Sequence, residues 1–294
     1  MGQFSGADCK EHDGRNAAIV RVIEHMNREL SRPLPLETLA RLAPFSPFYF
    51  HRVFKQATSM TPARFLAALR MAEARRLLLR SSLTVTAISA QVGYSSVGTF
   101  TTQFRRWVSL PPERFRQLAR QLAGVPVAAL LPVIRSRAIV AGQGPRALMH
   151  LDTVDLPGLL LAVVAPHGGG RNEWWTAAPR PLPAALPATV PPGEHCARVL
   201  LLRPDRDTTS ALVDGTPDSF LIGDADLRIP AEAGGAQPTL PAARSTLTVP
   251  VRQVRVTDPP LLSATPLRWL LGVSQAGWRG RTPVTAERRS LRTA

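Results

Sequence analysis

Apolar residues recur at helical spacing through roughly the first 120 positions, and then the period changes. Ile19, Ile23, Met26 and Leu30 lie three or four apart, which predicts an amphipathic helix from Asn16 to Leu30, ended by Pro33 and Pro35. Phe50, Val53, Phe54 and Ala57 form one stripe at i, i+3, i+4 and i+7; Phe100, Phe104, Trp107 and Val108 form another. Between them, Phe65, Leu69, Ala72 and Leu77 predict a helix of about 18–20 residues, some 27–30 Å long at 1.5 Å per residue. Thr61-Pro62 opens it as N-cap and first helical residue. Thr84 is placed to cap the next helix, and Pro111-Pro112-Glu113 opens a closing one through Leu122. Residues 1–14 are polar and read as a flexible tail.

These helices group into a motif that occurs twice, about fifty residues apart. The first copy runs from Leu36 through Pro44-Phe45-Ser46 into Pro47–Lys55; the second runs from Val85 through Gly93-Tyr94-Ser95 into Ser96–Arg105. Each is a short helix, a three-residue turn ending in Ser, and a second helix with polar residues outward. That is a helix-turn-helix, whose second helix can enter the major groove of DNA. Two copies let one chain read two grooves without dimerising.

Beyond Gly124 the helical period fades, and residues 125–294 hold 21 of the 28 prolines. Leu159–Ala165, Ala197–Leu202 and Leu247–Val256 are strand-like runs. In the last, parity shifts between Val251 and Val254, which predicts a bulge, and Pro250 predicts an edge strand. Pro191-Pro192-Gly193 and Pro217-Asp218 read as turns. The expected chain is therefore multidomain. An all-α double helix-turn-helix domain of about seven helices spans 15–123, a linker 124–137, and a mostly antiparallel β-sandwich-like sensor or interaction domain 138–271. A basic disordered tail spans 272–294.

Charge follows this division. Residues 1–124 carry 18 Lys+Arg against 8 Asp+Glu, residues 125–267 carry 12 of each, and residues 268–294 carry 6 against 1. The excess of the net +15 sits on the helix-turn-helix half and the tail, as a phosphate-binding surface requires. Two cysteines, Cys9 and Cys196, supply neither a four-ligand zinc site nor a disulfide framework. No secretory n- and h-region opens the chain and no run of eighteen apolar residues occurs, so a soluble, cytoplasmic protein without membrane association is expected.

With the apolar stripes buried, Phe48, Tyr49, His51, Arg52, Lys55 and Gln56 face outward from the first reading helix. Arg52 can donate a bidentate pair to a guanine edge, His51 can bond a base edge or phosphate, and Phe48 can press on a thymine methyl. Ser46 at the N-cap aims the helix N-terminus at backbone phosphate. In the second module Ser95, Ser96, Val97, Gly98, Thr101 and Thr102 are the outward candidates, with Arg105 and Arg106 near phosphates. Methyl and single-hydroxyl contacts discriminate less than an Arg–guanine pair, so this helix is expected mainly to anchor and to read shape.

These residues carry a family resemblance. The stretch from Leu34 to Arg116 resembles the DNA-binding domain of AraC/XylS transcription regulators through Leu39-Ala40, Phe45-Ser46-Pro47, His51–Lys55, Thr61-Pro62, Arg75–Leu78, Ile88, Gly93-Tyr94-Ser95, Phe100, Phe104–Arg106 and Pro111. The resemblance implies double-stranded DNA and RNA polymerase as partners and no cofactor. It places Phe48, His51 and Arg52, then Val97, Gly98, Thr101 and Thr102, at the family's base-contacting positions. Three departures from the pattern stand out: Pro44 stands at a turn position usually tolerant of unusual backbone, Val97 and Thr102 replace frequent Gln and Arg, and Ser109 replaces a usual Gly. Proline cannot take positive φ, so the first turn is expected to differ slightly in geometry. The DNA-binding half is N-terminal here, so the family's frequent N-terminal sensor domain is not expected. The stretch Val190–Leu202 faintly resembles transthyretin-type sandwiches.

The C-terminal half offers few candidates for catalytic chemistry. His195 and Cys196 are adjacent on a strand and point to opposite faces, so neither activates the other. Gly168-Gly169-Gly170 lacks the spacing of a phosphate loop, Asp224 and Asp226 read as an Asp-rich turn, and Trp174-Trp175 could line a pocket or plug a sheet edge. The expectation is a non-enzymatic regulator with a small-molecule effector or protein partner on its C-terminal half. The alternatives are an architectural DNA binder with low sequence preference and a bifunctional enzyme.

Overall fold

The computed structural model describes residues 6–138, 147–151, 156–166, 174–180, 182, 184–185, 190–213, 219–229, 245–268 and 270–272. The chain divides into two compact units, Met1–Arg120 with Arg255–Thr265, and Gln121–Val254 with Pro266–Ala294.

The first unit holds α1 (Gly6–Arg28), α2 (Leu36–Leu42), α3 (Pro47–Thr58), α4 (Pro62–Arg80), α5 (Val85–Gln91), α6 (Val97–Val108) and α7 (Pro112–Leu122). The helix expected from Asn16 begins at Gly6, so residues 6–14, read as a tail, are helical. Their Ala, Lys, Glu and His sustain a helix, and a lone Gly14 costs only about 1 kcal/mol. Ile19, Val22, Ile23 and Met26 are buried with Leu39, Phe50, Phe54 and Phe65 in one core. α4 does not bury a single stripe: Phe65, Leu66, Ala68, Met71, Ala74, Leu77 and Leu78 point in several directions and all are buried. A central helix packed on several sides needs apolar residues around most of its circumference.

The two modules repeat a ring stack at a fifty-residue interval. Phe50–Phe54 and Phe54–Phe65 centroids are each 5.5 Å apart. Phe100–Phe104 and Phe104–Phe115 stand at 5.6 and 5.8 Å. Each stack pins a reading helix to the helix that follows it. Both reading helices end on a serine in the left-handed region, Ser59 at φ 59 and Ser109 at φ 68.

The second unit opens with α8 (Val127–Ala138), inside the stretch expected as a linker. Val127, Leu130 and Ile134 lie at helical spacing and are buried, a pattern the internal Pro132 obscures. The strands are β1 (Ala147–Leu151), β2 (Leu159–Pro166), β3 (Trp174–Pro179), β4 (Ala184–Ala185) and β5 (Gly193–Leu202). After α9 (Thr208–Val213) come β6 (Phe220–Ile229), β7 (Ser245–Val249) and β8 (Arg252–Gln253). One antiparallel sheet runs β3-β2-β5-β6-β8; a three-stranded sheet runs β4-β1-β7, with β1 and β7 parallel. Alternate residues Leu160, Ala162, Val164, Ala197, Val199 and Leu201 share a core with Met149, Leu151 and Val249 of the smaller sheet.

The expected strand over 247–256 is two strands. At Pro250 the chain leaves β7 for β8, each at the edge of its sheet, where a residue without N–H is tolerated. That change of sheet, not a bulge, produces the parity shift, and Val254 and Val256 lie outside any strand. Gly223 of β6 lets the crossing chain approach, since a Cβ there would stand 2.3 Å from the Pro250 carbonyl oxygen. Asp224 and Asp226 lie on β6 rather than in a turn, and Asp224 accepts from Arg198 Nε at 2.6 Å. The Gly168–Gly170 loop, the Pro217-Asp218 turn and the basic tail beyond 272 fall outside the described residues.

Candidate nucleic-acid interface

Each reading helix is held at its N-terminus by a serine. The Ser46 Oγ accepts from the Tyr49 N–H at 3.3 Å, and the Ser96 Oγ accepts from Thr99 at 3.4 Å. The second cap is Ser96, so Val92-Gly93-Tyr94-Ser95 is one residue longer than the three-residue turn expected. Ser95 belongs to that turn and is exposed. Gly93 sits at φ 84, whereas Pro44 is held at φ 25. Proline therefore does enter positive φ here, though far less than glycine does; its ring opposes the rotation. A Cβ on Gly93 would stand 2.6 Å from the Leu30 carbonyl oxygen, so the second turn packs directly against the end of the first helix.

On α3, Phe48 is 85% exposed, which rules out its packing on α2, and Arg52, Lys55 and Gln56 are exposed. Tyr49 is half-buried: its ring meets Phe45 edge-on at 5.2 Å, and the Arg52 guanidinium lies over it at 5.2 Å. Tyr49 thus orients Arg52 along the outer face. His51 is half-buried beside it. On α6, Gly98, Thr102, Arg105 and Arg106 are exposed, Val97 is 41% exposed and Thr101 is half-buried. The outer face of α3 is bulky and bidentate-capable from Phe48 to Arg52, whereas that of α6 is small and hydroxylic from Val97 to Thr102 and turns basic at Arg105 and Arg106.

The five arginines of α4 look alike in the sequence, and packing sorts them. Arg70 donates to the carbonyls of Leu30 at 2.9 Å and Arg32 at 2.8 Å and lies over the Tyr94 ring, tying α1, α4 and the second turn together. Burial pushes the Tyr94 phenol up from its ordinary value, with the Arg70 charge opposing. Arg75 is 1% exposed beneath Phe115, and Arg76 pairs with Glu73. Arg64 is exposed and lies over Trp107 of α6 at 5.7 Å. It adds a cation beside the second reading helix that sequence reasoning missed. The available signal was the replacement of Ala57 by Trp107 at the equivalent place.

In the C-terminal unit the chemistry is sparse. His195 is buried, with Nε2 2.9 Å from the Pro191 carbonyl oxygen and its ring edge-on to Trp174. Cys196 lies on the opposite face, and burial first, then Asp224, pushes its thiol up. Among the described residues no group of three His, Cys, Asp or Glu is arranged to hold a metal, and no helix is long and apolar enough to cross a membrane.

Comparison with known proteins bears on residues 39–118, which match the model of a helix-turn-helix domain. The RhaS transcriptional activator of Pectobacterium carotovorum is 42% identical over 86 residues, covering 29% of this chain and 27% of that protein. The bifunctional transcriptional activator/DNA repair enzyme AdaA of Bacillus subtilis is 27% identical over 99 residues, 34% of this chain and 47% of that protein. A crystal structure of the DNA-binding domain of AdpA with a target DNA is 28% identical, covering 35% of this chain and 93% of that one, at a TM-score of 0.34. The chain spans less than half the length of the curated relatives it matches. Residues 39–118 of this chain form a helix-turn-helix domain of the AraC/XylS type.

Proposed function

We propose that the chain is a sequence-specific transcription regulator whose two reading helices enter successive major grooves on one side of a duplex. The seven helices through Leu122 act as the DNA-binding part. α4, with 19 residues, is about 28 Å long, comparable to the roughly 34 Å between successive major-groove faces. The observation that carries this reading is the pair of serine-capped helices with outward faces, one bearing an 85%-exposed phenylalanine beside an exposed arginine. A large exposed aromatic next to a bidentate donor fits base-edge contact. RNA polymerase is the partner through which such binding affects transcription. The β half, read as a sandwich-like domain, senses a small molecule or engages a protein, and no catalytic step is assigned to it.

Selection of sites from random duplexes by the 294-residue chain tests this. Two fixed blocks about 10 bp apart are expected, one helical turn being the spacing of successive grooves. One block beside a degenerate or A·T-rich stretch would confine base reading to α3, and no enrichment at all would overturn sequence-specific binding. The N-terminal face of α6, small and donor-poor from Val97 to Thr102, favours a second reading, an architectural binder in which backbone contact and DNA shape dominate. The unenriched outcome belongs to it.

A further inference from the structure

Residues 255–265 lie in sequence within the C-terminal half yet fold with the helical unit. The stretch begins with a closed turn in which the Arg255 N–H donates to Asp258 Oδ2 at 2.7 Å and the Asp258 N–H to the Arg255 carbonyl at 3.0 Å. Pro259-Pro260 follow, and the chain then attaches to the second module. The Leu261 carbonyl accepts from Arg75 Nη1 of α4, and the same guanidinium lies 5.3 Å over Phe115 of α7. The Ala264 N–H donates to the carbonyl of Val108, the last residue of α6, at 3.0 Å. Leu262 and Ala264 are buried.

The first module closes its reading helix from within. Thr58 is the last residue of α3, and its hydroxyl donates to the Phe54 carbonyl at 2.8 Å and accepts from the Met60 N–H at 3.2 Å. Fifty residues on stands Val108, which has no hydroxyl. Terminal carbonyls of a helix need donors, and a buried charge such as Arg75 needs acceptors. The Ser109 N–H caps the Arg105 carbonyl of α6, and the strap adds a donor to the Val108 carbonyl and an acceptor for Arg75.

We infer that residues 255–265 are a strap that completes the second helix-turn-helix module and couples the C-terminal half to α6. Val254 and Pro266, on either side of the strap, belong to the other unit. On this proposal a change of state in the C-terminal half acts first on α6, where the strap attaches at Val108, and not on α3. The coupling to DNA reading rests on the function proposed above; the strap itself does not.

Amide hydrogen exchange on the free 294-residue chain tests the strap without DNA. Ala264→Pro removes the donor to Val108. Protection over residues 97–122 should fall at least tenfold while residues 47–58 and 193–202 stay within twofold. Unchanged protection over 97–122, or an equal fall in both modules, overturns the proposal. Should Ala264→Pro unfold the chain, Leu262→Ala decides by the same criterion. Hydroxyl-radical footprinting then separates the two claims. Loss of the α6 half of the footprint with the α3 half intact supports the coupling. A normal chain with no specific footprint refutes DNA reading and leaves the exchange result standing.

Discussion

Fifty residues separate Phe50 from Phe100, Phe54 from Phe104 and Phe65 from Phe115, and the rings of both sets pack at 5.5–5.8 Å. The same interval on the outer face gives Phe48 and Gly98, His51 and Thr101, Arg52 and Thr102, Lys55 and Arg105, Gln56 and Arg106. The interior repeats and the exterior diverges. What holds a reading helix in place is thus separable from what it can read. Positive charge at the end of the helix is kept in both copies, while the donors nearer the N-terminus, His51 and Arg52, and the large apolar contact of Phe48 give way to Thr101, Thr102 and Gly98 in the second. On the proposed function, one module would specify and the other would hold the phosphate backbone.

The turns diverge as well, and the largest expected effect lies there. Gly93→Ala places a methyl 2.6 Å from the Leu30 carbonyl oxygen at φ 84. A left-handed Cβ costs about 1–2 kcal/mol before any clash, so a loss of about 3 kcal/mol is expected in urea unfolding. A loss below about 1 kcal/mol would mean that the end of α1 yields, and that the Arg70 node is not what fixes the second turn.

On DNA the comparison predicts unequal mutants. Arg52→Ala should cost about 1–3 kcal/mol on the selected site and relax one or two adjacent base pairs. Thr102→Ala, at the equivalent place, should cost under about 1 kcal/mol, since a single hydroxyl bond is all it can lose. Equal losses in titrations of the selected duplex would erase the division of labour. The helix ends, by contrast, should behave alike: Lys55→Gln and Arg105→Gln are each expected to reduce the salt slope of binding by about 1, with little change in base preference. A mutant that alters preference instead would move that residue from backbone to base contact.

How much of this was legible in the sequence depended on whether the signal was local. The caps of α3, α4 and α5 were, because Ser46, Thr61 and Thr84 sit immediately before those helices and bond backbone within three residues. The apolar stripes of α3 and α6 were too, since periodicity reports one buried face. α4 misled the stripe argument because several neighbours surround it, and only packing tells Arg64 from Arg70 and Arg75. The linker reading failed because Pro132 masked a helical pattern in Val127, Leu130 and Ile134. The strap was illegible: its partners Arg75 and Val108 are more than 150 positions away, and no local pattern records a contact at that separation.

Pro44 offers the smallest and sharpest test of the turn comparison. Its ring prefers φ near −65°, and the chain holds it at 25. A residue kept in a sparsely populated region stores about 1–3 kcal/mol. Pro44→Gly releases that strain but returns freedom to the unfolded chain, a loss of up to about 1 kcal/mol. The balance is a gain of about 1 kcal/mol, seen as a raised urea midpoint at constant slope. Base preference should not move, because Ser46 caps α3 and Phe45 packs on Tyr49 independently of the ring. A lowered midpoint would show that the proline stiffens the turn by more than its backbone costs, and the two modules would then differ in how their reading helices are aimed as well as in what those helices carry.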